Sequence, residues 1–174
     1  MQRTRTARLL GNALLFQLGW FACVLGARHP WLLWLAAACL LTHLAWLSRP
    51  GEIRPLLAVS VCGWLVDSLL LNLGIFDFAG HPNLLPGWLV LLWPLFASTL
   101  RHSLAWSARP WWLASLSGAL GGPLSYWGGV QLAGVGLPLG TWPSLLILAG
   151  VWALLLPLLH QVVRFTAPAY GKAA

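Results

Sequence analysis

Acidic residues are almost missing from this chain. Of its 174 residues only 3 are Asp or Glu, namely Glu52, Asp67 and Asp77. All charged residues together make up 7%, where soluble domains average about a quarter. So little charge counts against a water-soluble fold. It also counts against Mg²⁺-dependent phosphotransfer, which usually needs several carboxylates around the metal. Glu52 and Asp77 both fall in expected loops, so no paired carboxylates lie within an apolar run. A phosphate-binding loop, a metalloprotease helix and a serine nucleophile elbow are absent as well. The 3 cysteines, Cys23, Cys39 and Cys62, match neither a zinc nor a disulfide spacing and read as small buried apolar side chains. There is no low-complexity tract, and no long repeat is evident.

What the chain has is apolar length. Hydrophobic residues make up 59%. A membrane-spanning helix needs roughly 20 mostly apolar residues, and the sequence divides into six such runs. They cover residues 9–27, 31–47, 54–75, 84–105, 111–131 and 142–163. The breaks between them carry turn chemistry, as in Ser48-Arg49-Pro50-Gly51 and Ala108-Arg109-Pro110. The expected fold is a single all-α bundle of six transmembrane helices.

The formal net charge of +7 would suggest nucleic acid on a soluble protein. Here the basic residues sit in the short breaks and read as topology signals, so no nucleic-acid partner is expected. Arg3, Arg5, Arg8, Arg49, Arg54, Arg101, Arg109, Arg164 and Lys172 fall on one side of the six-span arrangement, and Arg28 alone on the other. That asymmetry places both termini in the cytoplasm. The N-terminal stretch has a signal-peptide look, but Asn12 and Gln17 interrupt its apolar region, so the first helix is expected to be retained.

There are 13 tryptophans. Trp31, Trp88, Trp127 and Trp142 are expected at the outer interface, and Trp46, Trp106, Trp111 and Trp112 at the inner one. Helical rise puts Trp20, Trp64, Trp93 and Trp152 near mid-bilayer on four different helices. They read either as packing or as the lining of an aromatic pocket for an acyl or isoprenoid chain.

Asp67 lies deep in the third run. Ser60, Gly63, Asp67 and Gly74 share one helical stripe, which small residues direct toward the bundle. A charged Asp at mid-membrane costs about 2.5–3.5 kcal/mol on insertion scales. No Lys or Arg lies at its depth, so the neutral acid is expected, hydrogen-bonded to a neighbour. Tyr126 has nearly the same depth; Gln17 and Asn72 are the next candidates. This polar core reads either as a clasp between helices or as a proton or ligand site. Gly121-Gly122-Pro123 is expected to break or kink the fifth helix beside it, or else to serve close packing. His43, His102 and His160 approach the cytoplasmic ends of three different helices. With Asn12, Arg101 and Arg164 they form an expected cytoplasmic mouth suited to lipid headgroups. Their placement on separate helices gives no metal-ligand spacing, and neither metal nor cofactor is expected.

Four motifs carry a resemblance: Asn12 with Gln17-x-Gly19-Trp20, Gly63-x3-Asp67, Leu92-Trp93-x2-Phe96, and Gly122-Pro123-x2-Tyr126. On these residues nearly the whole chain resembles a bacterial inner-membrane family catalogued only as a domain of unknown function. The resemblance implies no activity and assigns no catalytic residue. Through gene surroundings it implies an accessory place near fatty-acyl modification and envelope stress. The leading expectation is a non-catalytic protein that binds or organises membrane lipid, or a membrane or peripheral lipid-modifying enzyme. A small proton-coupled transporter using Asp67 is the alternative. A third is an intramembrane lipid-modifying enzyme, with Asp67 as acid/base and Tyr126 or a histidine assisting.

Overall fold

The computed structural model describes residues 2–78 and 84–168. The side chain of Arg3 and the whole of Lys172, both counted in the charge asymmetry, lie outside the described residues. Six α-helices follow the six apolar runs: α1 (Gln2–Gly26), α2 (Leu32–Thr42), α3 (Ile53–Asn72), α4 (Gly87–Ala97), α5 (Trp111–Ala133) and α6 (Thr141–Thr166). A π turn, His43–Leu47, prolongs α2, and a short 3-10 turn, Ala105–Ala108, precedes α5. Among the described residues there is no strand, only an isolated antiparallel bridge between Asp77 and Gly136. Three segments are long and apolar enough to cross a membrane: Arg5–Gly26, Ile53–Asn72 and Thr141–Thr166. Helix α5 has the length, with 23 residues, but its glycines and serines dilute its apolar character.

Helix α4 departs most from expectation. The sequence suggests one helix over residues 84–105, yet α4 has only 11 residues. Several local causes act together. Pro94 lies inside the helix and cannot donate to the Val90 carbonyl. The indole N–H of Trp64 takes that carbonyl instead, at 2.9 Å. Beyond Ala97, Ser98 and Thr99 turn their hydroxyls onto the carbonyls of Leu95 and Phe96, each at 2.7 Å. Such local bonds compete with the helical ladder. The chain then runs through turns to Leu104. Irregular backbone at membrane depth is tolerated only where protein or a cavity satisfies it. Asn12 of α1 does so: its amide donates to the Ser98 carbonyl at 3.2 Å and accepts from the Ser103 amide at 3.1 Å.

Without a hydrophobic driving force between helices in lipid, close packing at small residues holds a bundle together. Helix α5 lies along α6, α1 along α2, and α3 against both α4 and α6. The α5–α6 contact depends on Gly118 and Gly122. A Cβ at Gly118 would meet the Trp152 carbonyl, and one at Gly122 the Trp152 ring. Helix α5 is continuous through Gly121, Gly122 and Pro123. The interruption considered there is absent; Gly122, with Gly118, serves close packing while Gly121 meets nothing within 4 Å, and the bundle breaks in α4 instead. Leu14, Leu65, Leu120 and Leu154 lie on the exposed outer faces. At the end of the bundle away from Asn12, the Asp77–Gly136 bridge joins the α3–α4 and α5–α6 connections through two N–H···O bonds of 3.0 Å. Gly74, placed by its spacing on the Asp67 stripe, falls beyond α3 in a turn with φ of 69°.

Candidate functional site

Two polar centres occupy different levels of the bundle. The deeper one is built on Asp67, which is 0% exposed. Gly63 precedes it by one helical turn, and there the Trp93 ring of α4 takes the space that a Cβ would fill. That slot brings the Trp93 indole N–H to Asp67 Oδ2, where it donates at 2.7 Å. Tyr126 of α5 hydrogen-bonds to Asp67 Oδ1. An indole N–H only donates, whereas a phenol donates or accepts. The pair therefore accommodates the carboxylate and also the neutral acid with its proton directed at Tyr126. Trp93 in turn stacks on Trp152 of α6, ring planes 3° apart and centroids 5.7 Å apart.

These side chains border a cavity of about 580 Å³ between α1, α4, α5 and α6. Trp20, Trp93 and Trp152 line it, as the mid-bilayer count suggests. Trp20 also bridges α1 to α5 by donating to Ser125 Oγ at 2.9 Å. Trp64 does not line the cavity, because it is committed to the Val90 carbonyl on the outer side of α4. Trp88, expected at the outer interface, instead lines the cavity and packs on Phe78 with ring centroids 5.7 Å apart. Gln17, Gly121 and Leu124 are exposed lining residues, so the cavity opens between α1 and α5. Gln17 thus stands at the rim, with no hydrogen bond to Asp67. Asn72 is exposed and returns its amide to Ser68 of its own helix at 2.7 Å. Neither belongs to the polar core that Asp67, Tyr126 and Trp93 form.

The second centre lies at the arginine-rich end. His43 meets Asn12 and packs against His102, with ring centroids 4.9 Å apart, but the group that organises the two histidines is Glu52, which sequence reasoning leaves in a loop. Glu52 is 3% exposed. It accepts from His43 Nε2 at 3.1 Å, from His102 Nε2 at 3.0 Å, and from the Arg49 amide at 2.5 Å. Burial pushes its carboxyl up, but the hydrogen bonds from His102, His43 and Arg49, with electrostatic attraction to His102, outweigh burial and hold it well below the usual carboxylate range. A signal was available: three polar residues at similar depth with no anion to receive them, and one of the chain's three acids in the adjacent Arg-Pro-Gly-Glu turn.

The ligand atoms of His43, Glu52 and His102 lie within 4.8 Å of one another, close enough to hold a metal ion. Hydrogen-bond direction tells against that use. Ser98 offers Asn12 only a carbonyl and the Ser103 amide offers only a donor, so the Asn12 side chain cannot be reversed. Its NH₂ therefore faces His43 Nδ1, at 3.1 Å. With Nδ1 accepting, the proton of His43 sits on Nε2, the atom a metal would need, and donates to Glu52. The remaining members of the expected mouth lie apart. His160 pairs with Ser107 Oγ at 2.9 Å, Arg101 is buried with Nη1 unpaired among the described residues, and Arg164 is exposed.

An all-helical bundle with three helices of membrane length, and a carboxyl sunk beside an aromatic cavity, is the architecture of a membrane-compatible helical protein. The chain belongs to DUF2878, a family described as a protein of unknown function, whose model matches residues 9–158. No curated protein and no solved structure matches it.

Proposed function

We propose that this is a six-span bacterial inner-membrane protein, both termini cytoplasmic, that binds the apolar chain of a membrane lipid and performs no reaction itself. The observation that carries this reading is the aromatic cavity of about 580 Å³ opening sideways between α1 and α5. Its size falls in the range of about 300–1,000 Å³ typical of ligand sites. Its exposed rim residues would face acyl chains, and the Asp67–Tyr126 pair lies within. A bound chain would pack against Trp20 and Trp152, with any polar group on it directed toward Tyr126 and Asp67. In the cell, such a protein would hold lipid for, or present it to, a lipid-modifying enzyme.

Orientation is tested by reporter fusions. Fusions after Ser48 and Ala108 should read cytoplasmic, and one at Gly134 should read outside. An outside signal at Ala108 would overturn the six-span arrangement.

Occupancy of the cavity is tested with lipids brominated near mid-chain, which should quench the tryptophan fluorescence. Trp152→Ala removes one aromatic wall. At about 1 kcal/mol for such a contact, lipid retained through purification should fall about fivefold. Trp64→Ala lies outside the cavity and serves as the control. Equal retention in both folded variants would reduce the cavity to a packing feature.

A further inference from the structure

The arginine-rich end holds a second cavity, of about 310 Å³, lined by Arg5, Arg8, Leu9, Arg49 and His102. We propose that it is a binding site for a phosphate group, carried either by an anionic lipid headgroup or by a soluble phosphate ester. Three separate segments build it: the first turns of α1, the α2–α3 connection, and the unwound stretch after α4. Three arginines thus line one cavity where no side-chain carboxylate is free to neutralise them. Asp77 lies at the other end, and Asp67 is enclosed with Trp93 and Tyr126. Glu52 is buried and occupied by His43, His102 and the Arg49 backbone amide. Among the described residues the ion pairs are those of Glu52 with the two histidines, and none involves an arginine.

Arg8 is also positioned. Its Nη2 donates to the Trp46 and Leu47 carbonyls at 3.4 and 3.3 Å. Those contacts anchor one nitrogen and leave the rest of the planar fork, a geometry suited to phosphate. The His102 ring is fixed from the other side by Glu52. Membrane orientation requires only that positive charge lie near helix ends, which exposed Arg109 and Arg164 provide without lining this cavity or the aromatic one. Orientation alone therefore does not account for three arginines sharing one cavity. The site also adjoins the aromatic cavity: Leu9 precedes Ala13 by one turn of α1, and His102 adjoins Ser103, with Ala13 and Ser103 lining the larger space. The proposal does not depend on a chain occupying that space, because it is read with a different probe.

The test uses the full chain purified in detergent from membranes containing phosphatidylglycerol and phosphatidylcholine, with retained lipid measured by mass spectrometry. The wild type should retain phosphatidylglycerol in clear preference. Arg5→Gln with Arg49→Gln spares the anchored Arg8. Loss of two charge-assisted contacts should lower that preference about tenfold or more. Arg109→Gln with Arg164→Gln changes the net charge equally and should leave it intact. Millimolar glycerol 3-phosphate or inorganic phosphate that raises the melting temperature of the wild type, but not of the Arg5/Arg49 variant, assigns the site to a soluble phosphate ester. Retention of phosphatidylglycerol without that rise assigns it to a headgroup. Equal losses in the two double variants, or no preference and no phosphate effect in the wild type, would overturn the site.

Discussion

Asn12→Leu should destabilise the folded protein by on the order of 4 kcal/mol, since it strands two buried groups and a part-buried one at about 1–3 kcal/mol each. The groups are the Ser98 carbonyl, the Ser103 amide and His43 Nδ1. Thermal unfolding in detergent micelles measures the loss, and amide exchange should rise first in residues 98–104. An unchanged melting temperature would show that water or lipid replaces Asn12. The adjoining Glu52 adds a pH signature with a definite sign. Its carboxyl lies below the usual range in the folded state, so its stabilisation is complete above the unfolded value of about 4.3. That stabilisation is lost as pH falls further. The Glu52 contribution should therefore be level above about pH 5 and decline below it, and Glu52→Gln should remove this part of the slope while lowering stability at neutral pH.

Asp67→Leu should empty the deeper centre of its function. It leaves the Trp93 indole and Tyr126 hydroxyl without their acceptor, at a cost of about 1 kcal/mol for each interhelical bond. Lipid held in the cavity should fall sharply. Asp67→Asn is the informative partner, because its carbonyl can accept from Trp93 while its amide donates to Tyr126. It reproduces the neutral acid without a transferable proton. If the site binds a lipid chain, the Asn variant should retain lipid as the wild type does, and should restore the lipid profile of a deletion strain. A folded Asn variant that binds lipid yet fails to restore that profile would favour proton transfer at Asp67, the basis of the transporter and enzyme readings. A folded Asp67→Leu protein indistinguishable from wild type would sink all three.

Depth was legible in the sequence; direction was much less so. Helical rise alone brings Asp67 to the level of Tyr126 and places Trp20, Trp93 and Trp152 together, and the structure joins each set around one cavity. The facing of a helix is harder to read. In a soluble bundle the apolar stripe marks the core, but a helix in lipid is apolar on every side. That is why Trp64, Trp88 and Asn72 point elsewhere than a depth count suggests. The shortened α4 escaped for another reason. Its end is set by Ser98 and Thr99 folding onto nearby carbonyls and by a partner 86 residues distant in sequence, neither of which changes the hydropathy. Glu52 does lie in the expected turn; its partners escaped because a charge in a Pro-Gly turn is by default solvated, and only the folded arrangement shows two histidines over it.

The unwound segment after α4 also constrains how the protein is made. A helix of 11 residues rises about 16 Å, roughly half the hydrocarbon thickness. In the six-span arrangement proposed above, α4 would leave the ribosome with a stretch of bare backbone that lipid cannot solvate. Its remedy, Asn12, is synthesised far earlier, so in that arrangement α1 would already have to stand in the bilayer and wait. The proposed arrangement would thereby give biogenesis an order, the first helix acting as an internal template on which the fourth completes its insertion. A chain whose first helix is delayed or mis-inserted should stall at α4 and be cleared by quality-control proteolysis, whatever the condition of its aromatic cavity.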